Sequence, residues 1–439
     1  MKKLIVWLFS IPLLLISPIV LNANENSFIF NSLRKSILDN GVTLIYQQDL
    51  NSQLTAVGIF IKGGRLAEPE GKSGISYLTT RLASELTAWS DIEKIATMGS
   101  RISATSSFDY SLITIQCISD NLGKTIEILS KSFTKPLFSG LRINGIKQYM
   151  IGRIKSHEDE PWLLIDKLHY QLRFGNKGYG NSIYGSEESL KSIKKNNIKN
   201  FYEKFFRGGN IVVSIVSDLE FSVINKIIKK YFLKLPPGKS EISAEIEIKT
   251  ANQRKEFYKK ERKQSLILIS FPFDKINRKN FALVNLINTL FGKGTNSRLW
   301  FLRQKEKLAY SVRSKASQMK ESGTFSAYIE IDHHNQDKAI ELLRNEFEKL
   351  RKEGISKEEL EITKINSVAY FLRETETKLE KAFAFGYFET LGLDYDYANK
   401  FIDEIAKVTT KEINDFINTY FILEKEIEII IGKEKSLGY

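Results

Sequence analysis

The feature that most limits the fold of this chain is an internal repeat with a period of about 215 residues. Residues 124–129 resemble residues 338–343 at an offset of 214. The apolar positions of 198–206 recur in 413–421 at an offset of 215, and a short apolar stretch follows each copy. Two matches at nearly the same offset, each with a similar following element, indicate an internal duplication.

Domain boundaries follow from this repeat. Residues 235–240, LPPGKS, combine adjacent prolines with glycine and serine, which is typical of an exposed connection. We therefore predict two homologous domains over 24–234 and 261–439, joined by a linker over 235–260. A chain of 439 residues is long enough for both, since a domain usually has roughly 100–200 residues.

Strands and helices alternate in the same way in both halves. Several neighbouring strands have no helix between them, which favours antiparallel pairing. The prediction is an α+β fold in which each half is a mainly antiparallel sheet covered by helices. The predicted strands are 42–48, 56–61, 102–106, 111–118, 211–216, 266–271, 310–315, 324–331 and 427–431, and the predicted helices include 75–88, 91–98 and one long stretch over 143–173.

The start of the chain has the pattern of a secretory signal peptide. Two lysines precede an apolar run over 4–21, which Pro18 breaks before Ala23. We predict a signal peptide over 1–23 and no stable membrane span after its cleavage. The alternative is an uncleaved anchor, since this run approaches the roughly 20 residues that span a bilayer. Both interpretations predict an exported protein, most simply in a bacterial periplasm.

Charge and cysteine content exclude several classes of protein. The net charge of +13 falls to +11 without the two lysines of the signal peptide. Acidic residues are interspersed among the basic ones, so a solvated lysine-rich surface is favoured over a nucleic-acid-binding one. The single cysteine, Cys117, excludes internal disulfides and cysteine-based zinc or iron–sulfur sites.

The predicted helix that begins near Gly74 has an apolar stripe and a polar face. Tyr77, Thr80 and Arg81 are spaced i, i+3 and i+4, so their side chains converge on one patch opposite the stripe. Taken alone, this patch would be an ordinary solvent-exposed helix face.

Two motifs here resemble the pitrilysin/insulinase family of zinc peptidases, which includes the mitochondrial processing peptidases. They are GGRLAEP at 63–69 and GISYLTTR at 74–81. In that family the helix has the inverted motif H-x-x-E-H, two zinc ligands around a glutamate base. The resemblance implies that Tyr77 and Arg81 occupy the two histidine positions and Thr80 the glutamate position. It places the third ligand, a glutamate, at Arg153.

All three ligands and the base of the family motif are thus replaced. Two of the four replacements are arginines, whose guanidinium has no lone pair for a metal ion. The prediction is therefore no intact catalytic residue, no metal site and no cofactor in this chain.

The four histidines do not provide another metal site by sequence. His157 and His169 lie on a predicted helix without partners at i+4. His333 and His334 follow a strand beside Asp332, where adjacent side chains are expected to point in different directions. A surface turn is therefore favoured over metal ligation.

The second half retains a second signature of the resembled family. NSRLWFLR at 296–303 and LAYSV at 308–312 place an Arg and a Tyr seven residues apart, at Arg303 and Tyr310. The resemblance implies that this pair holds a peptide near the scissile carbonyl, in the same chain or in a partner subunit. Both groups donate hydrogen bonds to a developing oxyanion. Without the resemblance they are an ordinary helix arginine and strand tyrosine.

The first half has lost the zinc motif of the resembled family, whereas the second half has kept its Arg and Tyr. This difference gives the leading hypothesis for function. The chain is predicted to be a non-catalytic periplasmic subunit that binds peptide substrate and forms a heterodimer with an active zinc-peptidase subunit. Zinc is expected in that partner, with Arg303 and Tyr310 supplied by this chain. The alternative is a purely structural or peptide-binding protein of the same fold, as in respiratory-complex core subunits. An independently active zinc peptidase is the least favoured interpretation.

Overall fold

The computed structural model describes residues 30–242, 254–307 and 309–433. The predicted signal peptide over 1–23 lies outside these residues and stays a prediction. None of the helices in the described part combines the length and hydropathy that a membrane crossing requires.

The described residues form two mixed units of strands and helices. The first contains β1 (Arg34–Ile37), β2 (Thr43–Gln48), β3 (Leu54–Lys62), α1 (Ile75–Ala83), α2 (Trp89–Thr97), β4 (Arg101–Ser106), β5 (Tyr110–Ile118), α3 (Leu122–Thr134), α4 (Gly140–Asp159), α5 (Pro161–Phe174), α6 (Glu187–Ser192), α7 (Lys195–Phe205), β6 (Ile211–Ser217) and α8 (Phe221–Phe232). The second contains β7 (Arg254–Lys259), β8 (Gln264–Phe273), α9 (Arg278–Gly292), α10 (Arg298–Glu306), β9 (Ala309–Gln318), β10 (Gly323–Asp332), α11 (Gln336–Glu353), α12 (Lys357–Arg373), α13 (Lys378–Leu391), α14 (Tyr397–Lys407), α15 (Thr410–Tyr420) and β11 (Ile427–Gly432).

Five strands follow the same order in the two sheets, and the first sheet has one additional edge strand, β1, which confirms the predicted α+β fold of two similar halves. The first sheet has the order β1-β2-β6-β3-β5-β4 and the second β7-β11-β8-β10-β9. Each sheet contains one parallel pair, β2–β6 and β7–β11, and is otherwise antiparallel. The repeated sequence segments lie on α3 and α11, and on α7 and α15. The repeat therefore corresponds to equivalent elements.

Four elements differ from the sequence prediction: β1 was not predicted, and α1 ends at Ala83 rather than at residue 88. The single long helix predicted over 143–173 is two helices, because Glu160 is extended and Pro161 begins α5. A proline disfavours helical backbone at the preceding residue, yet fits the first turn of a new helix. Strand β7 lies inside the stretch 235–260 that was predicted as a linker, and it pairs with β11 in the second sheet.

Each sheet is partly covered by a helix from the opposite half. Helix α13 packs against β3 and β6 of the first sheet, where Phe385 and Phe60 share one apolar cluster. Helix α5 packs against β8 and β11 of the second sheet, where Ile165 joins Leu268 and Ile429. Because each half buries apolar surface of the other, separating them would expose both sheets to water.

The contact between α13 and the first sheet has no room at Gly386. A Cβ atom there would lie 2.1 Å from Cε2 of Phe60, whose side chain is fully buried. We expect Gly386→Ala to lower the free energy of unfolding by about 1–3 kcal/mol, because overpacking forces buried groups apart. Urea unfolding measures this. Gly152→Ala is the matched control, since a Cβ at this α4 position meets nothing within 4 Å; an equal loss there would contradict the packing explanation.

Candidate functional site

Helix α1, which contains three of the predicted site positions, is held at its N-terminus by Glu68. Oε1 of this carboxyl accepts hydrogen bonds from Gly74 N (3.0 Å), Ser76 N (3.2 Å) and Ser76 Oγ (2.6 Å). Oε2 accepts one from Asn181 Nδ2 (3.0 Å). Burial raises the pKa of Glu68 to about 7, although the donors Ser76 and Gly74 oppose that rise. A carboxyl from an upstream turn therefore caps a helix whose N-cap residue is a glycine.

The polar face of α1 is mostly buried, so its interpretation as a solvent-exposed face is wrong. Tyr77 is 4% exposed, and Thr80 is fully buried with its hydroxyl donating to Ser76 O at 2.8 Å. Arg81, in the last turn, is half-buried. The reason is tertiary: α4 and α7 pack against α1.

Helix α4 brings Arg153 to the same cluster as Tyr77. Its guanidinium lies 5.7 Å from the ring centroid of Tyr184, and hydrogen bonding to Tyr184 raises the pKa of Arg153. The ring of Tyr77 meets the same Tyr184 edge-on at 4.9 Å. His157 Nε2 lies 3.4 Å from Arg153 Nη2, and burial, followed by the charge of Arg153, lowers the pKa of this histidine.

These side chains do not fit a zinc ion. Zinc requires lone pairs from imidazole, carboxylate or thiolate groups. Burial and its tyrosine neighbours raise the pKa of Tyr77, so its phenol stays protonated. The Thr80 hydroxyl is engaged by the backbone, and Arg81 and Arg153 are cations that only donate. His157 faces a guanidinium rather than another ligand.

Two tyrosines at this site were missed by the sequence analysis. Tyr149 lies four residues before Arg153 on α4, and Tyr184 lies in the loop that precedes α6. Their rings are 6.5 Å apart, and both contribute to the raised pKa of Tyr77. The i, i+4 spacing of Tyr149 and Arg153 was the available signal for the first.

Arg303 and Tyr310 lie close together at the start of β9, the edge strand of the second sheet. Arg303 Nε donates to Ala309 O at 3.2 Å, and its guanidinium lies 4.7 Å from the ring centroid of Trp300. Tyr310 follows directly and is 56% exposed. Among the described residues, the Nη atoms of Arg303 have no hydrogen-bond partner, so they are free to donate elsewhere.

The histidine pair 333–334 does not have the geometry that the sequence suggested. The two rings lie side by side with centroids 3.7 Å apart, so the expectation of divergent side chains is wrong. Both residues lie in a 3-10 turn, where Asp332 accepts from His334 N at 3.0 Å. Ligand atoms of Asp332, His333 and His334 lie within 4.8 Å of one another. They are remote in sequence from every position of the predicted zinc motif.

Two profiles of one peptidase family match this chain. A family profile described as insulinase, peptidase family M16, matches residues 43–187. A second profile, described as the peptidase M16 inactive domain, matches residues 192–367. The chain belongs to the M16 family of peptidases. These matches confirm the family resemblance that the sequence motifs indicated, over residues 43–187 and 192–367.

M16 relatives with different descriptions match nearly the whole chain. "Uncharacterized zinc protease YmxG" of Bacillus subtilis is 21% identical over 91% of this chain and 98% of the relative. "Non-peptidase homolog YmxG" of Helicobacter pylori is 22% identical over 90% of this chain and 93% of the relative. The fold matches a crystal structure of a peptidase M16 inactive domain from Pseudomonas fluorescens, with a TM-score of 0.83 at 18% identity over 92% of this chain and 99% of that one.

Proposed function

We propose that this chain is a non-catalytic M16 subunit of an exported, periplasmic peptidase. It binds peptide and supplies Arg303 and Tyr310 to the zinc site of a separate M16 subunit with an intact H-x-x-E-H helix. Zinc belongs to that partner, and this chain holds no cofactor of its own. The proposal rests on a contrast between the two halves. In the first half, hydrogen-bond donors occupy the positions that correspond to zinc ligands in the family motif. In the second half, Arg303 and Tyr310 remain accessible.

The chemistry of the first half supports the non-catalytic part of this proposal. Tyr77 and Thr80 offer only neutral hydroxyl groups, and Arg81 and Arg153 are cations. None of these four residues provides an imidazole or anionic zinc ligand or a general base. The description of one matching profile as an inactive domain, and the name of the Helicobacter relative, point in the same direction.

Accessible backbone and side-chain donors support the peptide-binding part. β4 is the outer strand of the first sheet and packs against α1, which contains the converted metal positions. An extended peptide adds to such an edge by main-chain hydrogen bonds. In the second half, the exposed phenol of Tyr310 and the free Nη atoms of Arg303 are suited to a carbonyl that becomes negative.

Removal of both donors tests the proposed role. The chain is co-expressed with an exported M16 subunit encoded nearby that has H-x-x-E-H, and peptide cleavage by the purified pair is measured. We expect Arg303→Ala combined with Tyr310→Phe to lower kcat about a hundredfold, because each oxyanion donor contributes strongly in the transition state.

The control is Lys305→Ala, which removes a positive charge from an exposed position of the same helix, α10. It should leave cleavage unchanged. Unaltered kcat in the double variant, with the two subunits still co-purifying, would count against the proposal. Stable association with a complex that contains no zinc peptidase would instead favour the structural alternative.

A further inference from the structure

A cleft lies beside the converted metal site, between the C-terminal end of α1 and the first half of α4. Its volume is about 500 Å³, which is within the range of small-ligand sites. Arg81 and Glu85 line one wall, and Arg142 and Tyr149 line the other. A ligand in this cleft therefore contacts one of the residues that replaced the family's zinc ligands.

The charges that line the cleft are not balanced. Arg142 Nη1 lies 3.1 Å from Glu85 Oε2, and its Nη2 donates to Thr87 O at 3.0 Å. Glu85 is thus neutralised by Arg142. Arg81 has neither an ion pair nor a side-chain hydrogen bond within the described ranges. The guanidinium of Arg81 is therefore available to bind the carboxylate of a ligand in the cleft.

Other features of the cleft also favour an anion with an apolar neighbour. Leu141 and Arg142, in the first turn of the 20-residue helix α4, border the cleft, so the positive partial charge at the N-terminus of this helix lies near it. Leu141 is 86% exposed and Tyr149 is 51% exposed. Gly145 lies between them on α4, and a Cβ there would meet nothing within 4 Å, which leaves the floor of the cleft open.

We propose that this cleft binds a carboxylate of an extended peptide through the guanidinium of Arg81. The exposed side chains of Leu141 and Tyr149 contact the apolar residue next to that carboxylate. Replacing the metal ligands thus changes a site for a cation into a site for an anion. The proposal extends the peptide-binding role proposed above by naming the chemical group that is recognised. The carboxylate is either the C-terminus of the peptide or the side chain of Asp or Glu.

Direct binding by the purified full chain, without any partner subunit, tests this. The probes are fluorescently labelled hexapeptides of alternating alanine and leucine in three forms: free C-terminal acid, C-terminal amide, and amide with glutamate as the last residue. We expect the free acid to bind at least about tenfold more tightly than the plain amide, the preference of a charge-assisted hydrogen bond. If the glutamate peptide and the free acid bind equally tightly, the site accepts either carboxylate. If only the free acid exceeds the plain amide, the C-terminus is recognised, and if only the glutamate peptide does, the side chain is recognised.

Two variants act on the cleft in different ways. Arg81→Gln removes the charge, so the acid should bind no better than the amide. Gly145→Leu fills the floor while keeping every charge, so all three peptides should bind about tenfold more weakly. The control is Arg373→Gln, which removes a guanidinium from the end of α12 in the other half. Circular dichroism of each variant verifies folding.

The proposal would be overturned if neither the free acid nor the glutamate peptide bound more tightly than the plain amide to the unmodified chain, or if a preference for either carboxylate survived Arg81→Gln. Failure of the two proposals is distinguishable. Normal cleavage after loss of Arg303 and Tyr310, together with an Arg81-dependent acid preference, would reject the catalytic pairing and keep the carboxylate site. Loss of cleavage in the Arg303 and Tyr310 double variant, without an Arg81-dependent carboxylate preference, would reject only the carboxylate site.

Discussion

Glu68→Ala is expected to lower the free energy of unfolding by about 3–5 kcal/mol, because several buried hydrogen-bond donors lose their acceptor. The carboxyl accepts hydrogen bonds from Gly74, Ser76 and Asn181. Alanine leaves these groups without an acceptor and opens a cavity at the start of α1. Because α1 contains Tyr77, Thr80 and Arg81, the ordering of the converted site depends on this one side chain.

The measurement is urea unfolding of the purified chain beside Glu70→Ala. Glu70 lies two residues further along, has the same side chain and is exposed, so its loss should change stability by no more than about 0.5 kcal/mol. Glu68→Gln is the intermediate case, since it keeps one acceptor oxygen but turns an NH₂ group toward existing donors. Equal stability of the Glu68→Ala and Glu70→Ala variants would show that Glu68 does not anchor the helix.

Acidification is expected to destabilise the contact between α5 and the second sheet through His169. This side chain is fully buried, and its Nε2 lies 2.7 Å from Ser270 Oγ on β8. Burial, followed by the charge of Arg173, lowers the pKa of His169 to about 3. The imidazole is therefore neutral in the folded protein at pH values where an unfolded histidine, with a pKa of about 6.5, binds a proton.

The direction of the effect follows from this difference. Between pH 6.5 and 3 the unfolded chain binds more protons at His169 than the folded chain, so stability falls as the pH falls. The contribution of His169 is complete above pH 6.5 and decreases by about 1.4 kcal/mol for each pH unit below it. Several kcal/mol are lost by pH 3, which is a large part of the stability of an ordinary domain.

Two buried carboxyls act in the opposite direction, so the histidine must be isolated by comparison. Burial raises the pKa of Glu68 to about 7 and that of Asp109 to about 6, and their contributions favour the folded state as the pH falls. We therefore propose to measure the stability of the unmodified chain minus that of His169→Gln at each pH. Glutamine retains a hydrogen-bonding group near Ser270 but does not titrate.

This difference should be constant above pH 6.5 and should decrease steadily below it. His334→Gln, at an exposed histidine, is the control and should give a curve parallel to that of the unmodified chain. Parallel curves for His169→Gln and the unmodified chain would contradict the assignment of acid sensitivity to the α5 contact.

The accuracy of the sequence predictions depended on the range of the interactions involved. The strands and the repeat were predicted well, because period-2 alternation and recurring helical spacing are local properties. The split between α4 and α5 was also local, since Pro161 marks it, but the apolar pattern on both sides obscured the break. β7 was missed because its side chains Phe257 and Tyr258 are about 40% exposed and lack a buried-strand pattern.

At the candidate site, too, the chemistry of the residues could be predicted from the sequence, whereas their burial could not. The chemical identity of Tyr77, Thr80, Arg81 and Arg153 was sufficient to predict that a zinc ion would not fit, since ligand chemistry depends on residue type. Their burial was not predicted from the chain. It depends on α4 and on Tyr184, which lies over a hundred residues from Tyr77 in sequence but 4.9 Å from it between ring centroids.

The sequence by itself determined that the chain is a duplicated α+β protein, and its resemblance to the zinc peptidases predicted donors in the first half at the positions of their ligands. Only the tertiary structure decided that α5 and α13 each cover the sheet of the opposite half, that Tyr77 and Thr80 are buried, and that Arg81, beside an open cleft, has no ion-pair partner among the described residues. The physical reason is that residue chemistry and periodicity are local. Burial and charge balance, in contrast, are set by whichever distant surfaces pack together when apolar area leaves water.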